Sequence, residues 1–155
     1  MEVVLVDGLG IDLSIKGMAL YLKKANIKGW FYAWTETEPG GVDRECERVD
    51  EEYDFSYGDP FYHVVDADLG KFASLADVYA HELKSPIDPF SRTDEILISV
   101  LRELGQEAQG HCTLYIAEIP DYIEWHIESD SDDFREYAVE GAYHNHDRWY
   151  GKPIV

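Results

Sequence analysis

The spacing of apolar residues changes several times along this chain, and each change marks an element. EVVLVD, Glu2 to Asp7, is a short β-branched run of strand length. GLGIDLS follows as a turn, and Ser14 suits a helix N-cap because its hydroxyl can accept from an orphan first-turn amide. Ile15, Met18, Ala19, Leu22 and Ala25 share one face at helical spacing, which predicts an amphipathic helix despite Gly17. GWFYAWTE alternates, with Trp30, Tyr32 and Trp34 on one face and Phe31 and Ala33 on the other. After the TEPGG break, RECERVDEE is predicted to return as its hairpin partner. Phe61 to Asp66 reads as a further strand. LADVYAHELK has weak helical periodicity, and two prolines make SPIDPF irregular.

The strongest helical pattern is RTDEILISVLRELGQEAQG. Thr93 is expected to cap it, with Asp94 and Glu95 in a first turn whose dipole favours anions. Ile96, Val100 and Leu104 mark the predicted buried stripe, and Gly105 or Gly110 the end. CTLYIAEIP and YIEWHIES are then strands, with Ile123, Trp125 and Ile127 facing inward and Glu124, His126 and Glu128 outward. SDSDD turns the chain and FREYAVEGAY returns as a third strand. The order predicts an α+β fold: a mostly antiparallel sheet with two main helices packed on it. One domain over residues 1–155 is expected, with 36–90 an insertion or elaboration.

Charge narrows the function. The chain carries 32 acidic and 13 basic residues, for a net charge of −19. Such a field repels nucleic acids and anionic membranes, so neither is an expected direct partner. The acids concentrate at Glu36 to Asp68 and at Glu118 to Glu140. Carboxylates so spaced could imitate phosphates, and the alternative reading is an acidic nucleic-acid mimic with a basic protein partner. Cys46 and Cys112 lie too far apart in sequence for a metal knuckle and read as reduced thiols of a cytoplasmic protein. The stretch MEVVLVDGLG lacks a basic n-region, so no signal peptide is expected, and no apolar run approaches spanning length.

Candidate chemistry is sparse. Gly8 and Gly10 follow a strand and precede a helix, the position of a phosphate-cradling loop, although a plain turn explains them as well. His144 and His146 could ligate metal but lack a fixed third ligand, so no metal site is expected. Asp130, Asp132 and Asp133 read as a solvated turn. No catalytic constellation and no cofactor motif stand out, so the protein is expected not to be an enzyme. Arg92, Arg102 and Arg148 are scarce cations, each either a salt-bridge partner or an anion contact. With Trp125, Trp149 and Tyr143 for stacking, they could hold a small phosphorylated ligand.

From Ser91 to Trp149 the motifs RTD, LRELGQEAQG, LYIAEIPDYIEWHIE and a late His146 and Trp149 resemble a family of short tailed-phage proteins. Its members share an ELGxxAxG, EIPDxxxWxI and HxxW pattern in that order. GLGIDLS resembles the Gly-rich opening of the same family. Asp147 stands where the family has arginine, and Arg148 is displaced by one position. The family is similar to Thoeris anti-defence sponges, which oligomerise and sequester cyclic ADP-ribose-type or cyclic-oligonucleotide signals. The resemblance therefore implies a homo-oligomer in the host cytosol that binds a small cyclic nucleotide without cleaving it.

Overall fold

The computed structural model describes residues 1–8, 10–35, 44–53, 62–130, 135–140 and 148–154. The chain divides into two compact units: Met1–Tyr21 together with Pro89–Val155, and Leu22–Asp88. All strand pairs in both are antiparallel, and the class is α+β as the pattern predicts. The described strands form three sheets rather than one.

In the first unit β1 (Glu2–Asp7) pairs with β6 (Thr113–Glu118), from Glu2 opposite Glu118 to Asp7 opposite Thr113. The short β10 (Lys152–Pro153) lies on the other side of β6. β1 runs Val3 to Val6 fully buried, which explains why this strand is apolar at every position rather than at alternate ones. Its other edge is closed by the backbone and side chain of Arg92 and by the side chain of Glu136. The Val4 amide donates to the Arg92 carbonyl at 2.8 Å, and the Val6 amide donates to Glu136 Oε1 at 2.9 Å. Without those acceptors the edge would leave buried amides unpaired.

A second sheet of this unit orders β7 (Trp125–Ser129), β8 (Glu136–Glu140) and β9 (Arg148–Trp149) side by side. The alternation predicted for β7 holds: Ile123, Trp125 and Ile127 are half-buried and pack on a cluster of Val3, Leu5, Ala117, Ile119 and Ala138. Glu124, His126 and Glu128 are exposed.

Helix α1 (Ile15–Ala25) is capped by Ser14, whose Oγ accepts from the Gly17 amide at 3.0 Å. Gly17 is required by packing. A Cβ there would lie 2.8 Å from the Ala108 carbonyl oxygen, in the 3-10 turn Gly105–Ala108. α3 (Glu95–Leu104) differs from the predicted helix in two ways. Its cap is Asp94, not Thr93: the Asp94 carboxylate accepts from the Ile96 and Leu97 amides at 2.8 and 3.3 Å. The buried residues are Leu97, Ile98, Val100 and Leu101, with Ile96 and Leu104 only half-buried. The Tyr21 hydroxyl donates to the other Asp94 oxygen. Burial first, and then that carboxylate, push the Tyr21 hydroxyl well above its ordinary value. The helix ends at Gly105, as expected.

The second unit holds a four-stranded sheet in the order β4 (Tyr62–Val65), β2 (Trp30–Trp34), β3 (Glu45–Val49), β5 (Phe72–Ser74). The predicted β2–β3 hairpin is present, with Phe31 opposite Val49 and Trp34 opposite Cys46. α2 (Leu75–Ala80), capped by Ser74, buries Leu75 and Val78 with Tyr32, Cys46 and Val65. Fully buried Tyr32 is satisfied at both ends of its hydroxyl: it donates to the Gly70 carbonyl at 2.6 Å and accepts from the Leu69 amide at 2.9 Å.

Candidate functional site

The first unit contains a groove of about 840 Å³ beside the end of α3, where the chain passes from β9 to β10 against β6. Arg102 reaches it from α3, Glu118 from β6, and the segment Arg148–Ile154 supplies most of the rest. The turn in that segment depends on Gly151. Its φ of +76° is one that side chains oppose, and a Cβ would lie 3.0 Å from the Ile116 carbonyl group. Glycine therefore lets the backbone of this segment sit directly on β6.

The cations of the groove differ in how far they are neutralised. Arg102 forms an ion pair with Glu2. Arg148 makes no ion pair among the described residues; its guanidinium sits 4.6 Å above the Tyr137 ring and donates to the Tyr150 hydroxyl at 3.4 Å. That hydrogen bond, followed by the surrounding tyrosines, holds Arg148 above the usual guanidinium value, so it stays charged. Lys152 likewise has no carboxylate partner among the described residues. Lys23, Lys28, Arg44 and Lys71 also form no ion pair among the described residues, so what sets Arg148 and Lys152 apart is that they share one groove. Trp149 lines the same groove, half-buried, with part of its ring packed on the apolar cluster of this unit.

Three of the residues singled out from the sequence thus meet here: Arg102, Arg148 and Trp149. Arg92 does not, and its assignment as an anion contact is corrected by its surroundings. Its two terminal nitrogens grip both oxygens of Glu136, Nη2 to Oε2 at 2.8 Å, and Nη1 also reaches the Val4 carbonyl at 3.3 Å. An arginine so engaged seals the β1 edge and has little left for a ligand. Trp125 packs on the apolar cluster and does not line the groove. Gly8 and Gly10 are also elsewhere. Gly8 has φ +147° and a Cβ there would press on Cys112 at 3.1 Å, while Gly10 has open space around it. The helix that follows them starts only at Ile15, so their amides do not form its first turn. Tyr143, His144, His146 and Asp147 lie outside the described residues.

Sequence reasoning missed Tyr150, Gly151 and Lys152, although one signal was available. RWYGK places two cations and two aromatics around a glycine within five residues of a strongly acidic chain.

A second groove, about 790 Å³, has the opposite character, with Glu2, Glu95, Glu103 and Asp121 on its walls. In the other unit His63 pairs through Nδ1 with Glu82 at 3.1 Å, an arrangement that resembles a general-base dyad. Its remaining nitrogen is already taken: Trp34 Nε1 donates to His63 Nε2 at 3.1 Å. That fixes Nδ1 as the protonated nitrogen and leaves no lone pair to accept a substrate proton. Cys112 is no better placed as a nucleophile, since burial pushes its thiol up. No described group of His, Cys, Asp and Glu side chains is arranged to hold a metal ion. No described helix is long and apolar enough to cross a membrane.

Compared with protein-family models, curated proteins and solved structures, the chain finds no match.

Proposed function

We propose that the chain is a phage counter-defence protein that captures a small cyclic nucleotide immune signal in the groove between α3 and Arg148–Ile154. It holds the signal without converting it and works as a homo-oligomer. The observation that carries this reading is the presence of two cations without carboxylate partners among the described residues, Arg148 and Lys152, beside Trp149 in one groove. Cations supply the phosphate contacts and the indole a stacking surface for a base. The groove volume of about 840 Å³ is suited to such a ligand, since small-molecule sites span roughly 300–1,000 Å³. The resemblance of Ser91 to Trp149 to the phage family supplies the biological setting. The same cations favour this reading over an acidic nucleic-acid mimic, for which a positive groove has no use.

Isothermal titration against cyclic ADP-ribose isomers and cyclic di- and trinucleotides tests it. The expected result is stoichiometric heat, release of unchanged ligand on denaturation, and loss of binding in Arg148→Ala. Absence of heat with the whole panel, or recovery of a cleaved ligand, refutes it.

A further inference from the structure

We infer that the Tyr150 hydroxyl is itself a ligand contact, donating its proton to a phosphate oxygen held by Arg148 and Lys152. The inference rests on the groove being the nucleotide site, and adds a residue and a chemical selectivity to it. Tyr150 lines the groove. Its oxygen accepts one hydrogen bond, from Arg148 Nη1 at 3.4 Å. A phenol can accept and donate at once, and its proton has no acceptor among the described residues.

The ring is held firmly while the hydroxyl remains unspent. Tyr150 packs against the Tyr137 ring with centroids 5.2 Å apart and planes tilted by 41°. The Arg135 guanidinium lies 5.2 Å from the Tyr150 centroid and 4.7 Å from that of Tyr115. Arg148 covers Tyr137 at 4.6 Å. The result is a stack in the order Arg148, Tyr137, Tyr150, Arg135, Tyr115, of which Arg148 and Tyr150 line the groove. Its faces are used in stacking, and the outward edges of Arg148 and Tyr150 remain as donors. Such contacts order both side chains before any ligand arrives, which lowers the entropy cost of binding.

The stretch Arg148, Trp149, Tyr150, Lys152 therefore presents four donor side chains and no carboxylate, the one acceptor among them being the Tyr150 oxygen already used by Arg148. Glu118 is the one described carboxylate that lines the groove. A wall richer in donors than in acceptors favours a group made of acceptors. A phosphate, with several strong acceptor oxygens, can be met by three side chains at once, whereas the base gains nothing from the hydroxyl.

The test is binding of ADP and of adenosine, the same base without phosphate, to the full chain and to Tyr150→Phe and Arg148→Ala. Phe preserves the ring and its stacking, and thermal unfolding checks that the fold is retained. Tyr150→Phe is expected to weaken ADP about tenfold or more, as for a hydrogen bond to a charged group, and to leave adenosine within about twofold. Equal weakening of ADP and adenosine assigns Tyr150 a purely structural role and overturns the inference. Unchanged ADP binding in Tyr150→Phe, with weakening in Arg148→Ala, overturns it too but leaves the groove as the site. If the wild-type chain holds neither ADP nor adenosine, the inference is overturned, and the titration against the cyclic panel decides the nucleotide reading separately.

Discussion

Replacing Arg92 by alanine separates a structural arginine from a ligand contact. The side chains of Arg92 and Glu136 are only 27% and 14% exposed, so the pair is largely removed from water. Exposed pairs contribute about 0–1 kcal/mol, whereas breaking a buried pair costs about 3–5 kcal/mol because the surviving charge is stranded. Partial exposure and the remaining amide partner of Glu136, Val6, place the loss at about 2 kcal/mol. Removing the donor from the Val4 carbonyl adds about 1 kcal/mol. A total near 3 kcal/mol corresponds to a fall in Tm of about 6–12 °C for a chain of this length. The assay is thermal and urea unfolding by circular dichroism at neutral pH. Glu136→Gln, which keeps an acceptor for the Val6 amide, should lose about 1–2 kcal/mol. The double variant should then be less damaged than the sum of the two, since the partners couple directly. Stability within about 0.5 kcal/mol of wild type in Arg92→Ala would refute the account of the β1 edge and return Arg92 to the candidate ligand contacts.

Gly151→Ala should destabilise the chain by about 1–3 kcal/mol and weaken ligand capture, because it strains the turn that seats Arg148–Ile154 on β6; unfolding and titration read the two effects. Gly17→Ala should also destabilise, against the gain in helix propensity of about 1 kcal/mol, because the Ala108 carbonyl leaves no room for a methyl group; a rise in Tm would show that the turn yields freely. Burial tends to raise Glu82, but hydrogen bonds from His63 and Lys84 outweigh it and hold its carboxyl below the ordinary 4.5. A lowered folded value stabilises above about pH 4.5 and the contribution is lost as pH falls through it. The Tm difference between wild type and Glu82→Gln should therefore shrink from about pH 6 to pH 3, and a constant difference contradicts the pairing.

Local signals in the sequence were read well where one face decides. β1, the Ser14 cap, the β2–β3 hairpin and the inward face of β7 all follow from spacing and turn chemistry alone. The register of α3 did not, because EILISVLREL offers apolar residues at 96, 97, 98, 100, 101 and 104, enough for two overlapping stripes. Which stripe is buried depends on neighbours distant in sequence. Thr93 and Asp94 can both cap a helix; the Tyr21 hydroxyl, 73 residues away, meets the second. β5 has three residues, too few to show a period. Arg92 stays open between ion pair and anion contact for the same reason: Glu136 lies 44 residues further on and nothing local announces it. Arg148 and Trp149, which line the groove, stand out in the sequence because scarce cations and large aromatics are conspicuous in an acidic chain. Tyr150 and Lys152 were not, since their value depends on the fold of the Gly151 turn.

The pairing of β1 with β6 also sets a clock for folding. β1 leaves the ribosome about a hundred residues before β6, the strand it pairs with, and at roughly 5–20 residues per second that is a wait of about 5–20 s. During that interval Val3 to Val6 form a β-branched apolar run without a sheet, and Arg92 and Glu136 have yet to be synthesised or placed. The unit Leu22–Asp88 has all its own strands in hand well before then. Synthesis thus runs ahead of assembly in the part that carries the groove. Its closure depends on the last third of the chain, so the apolar β1 strand must wait longest for its partner.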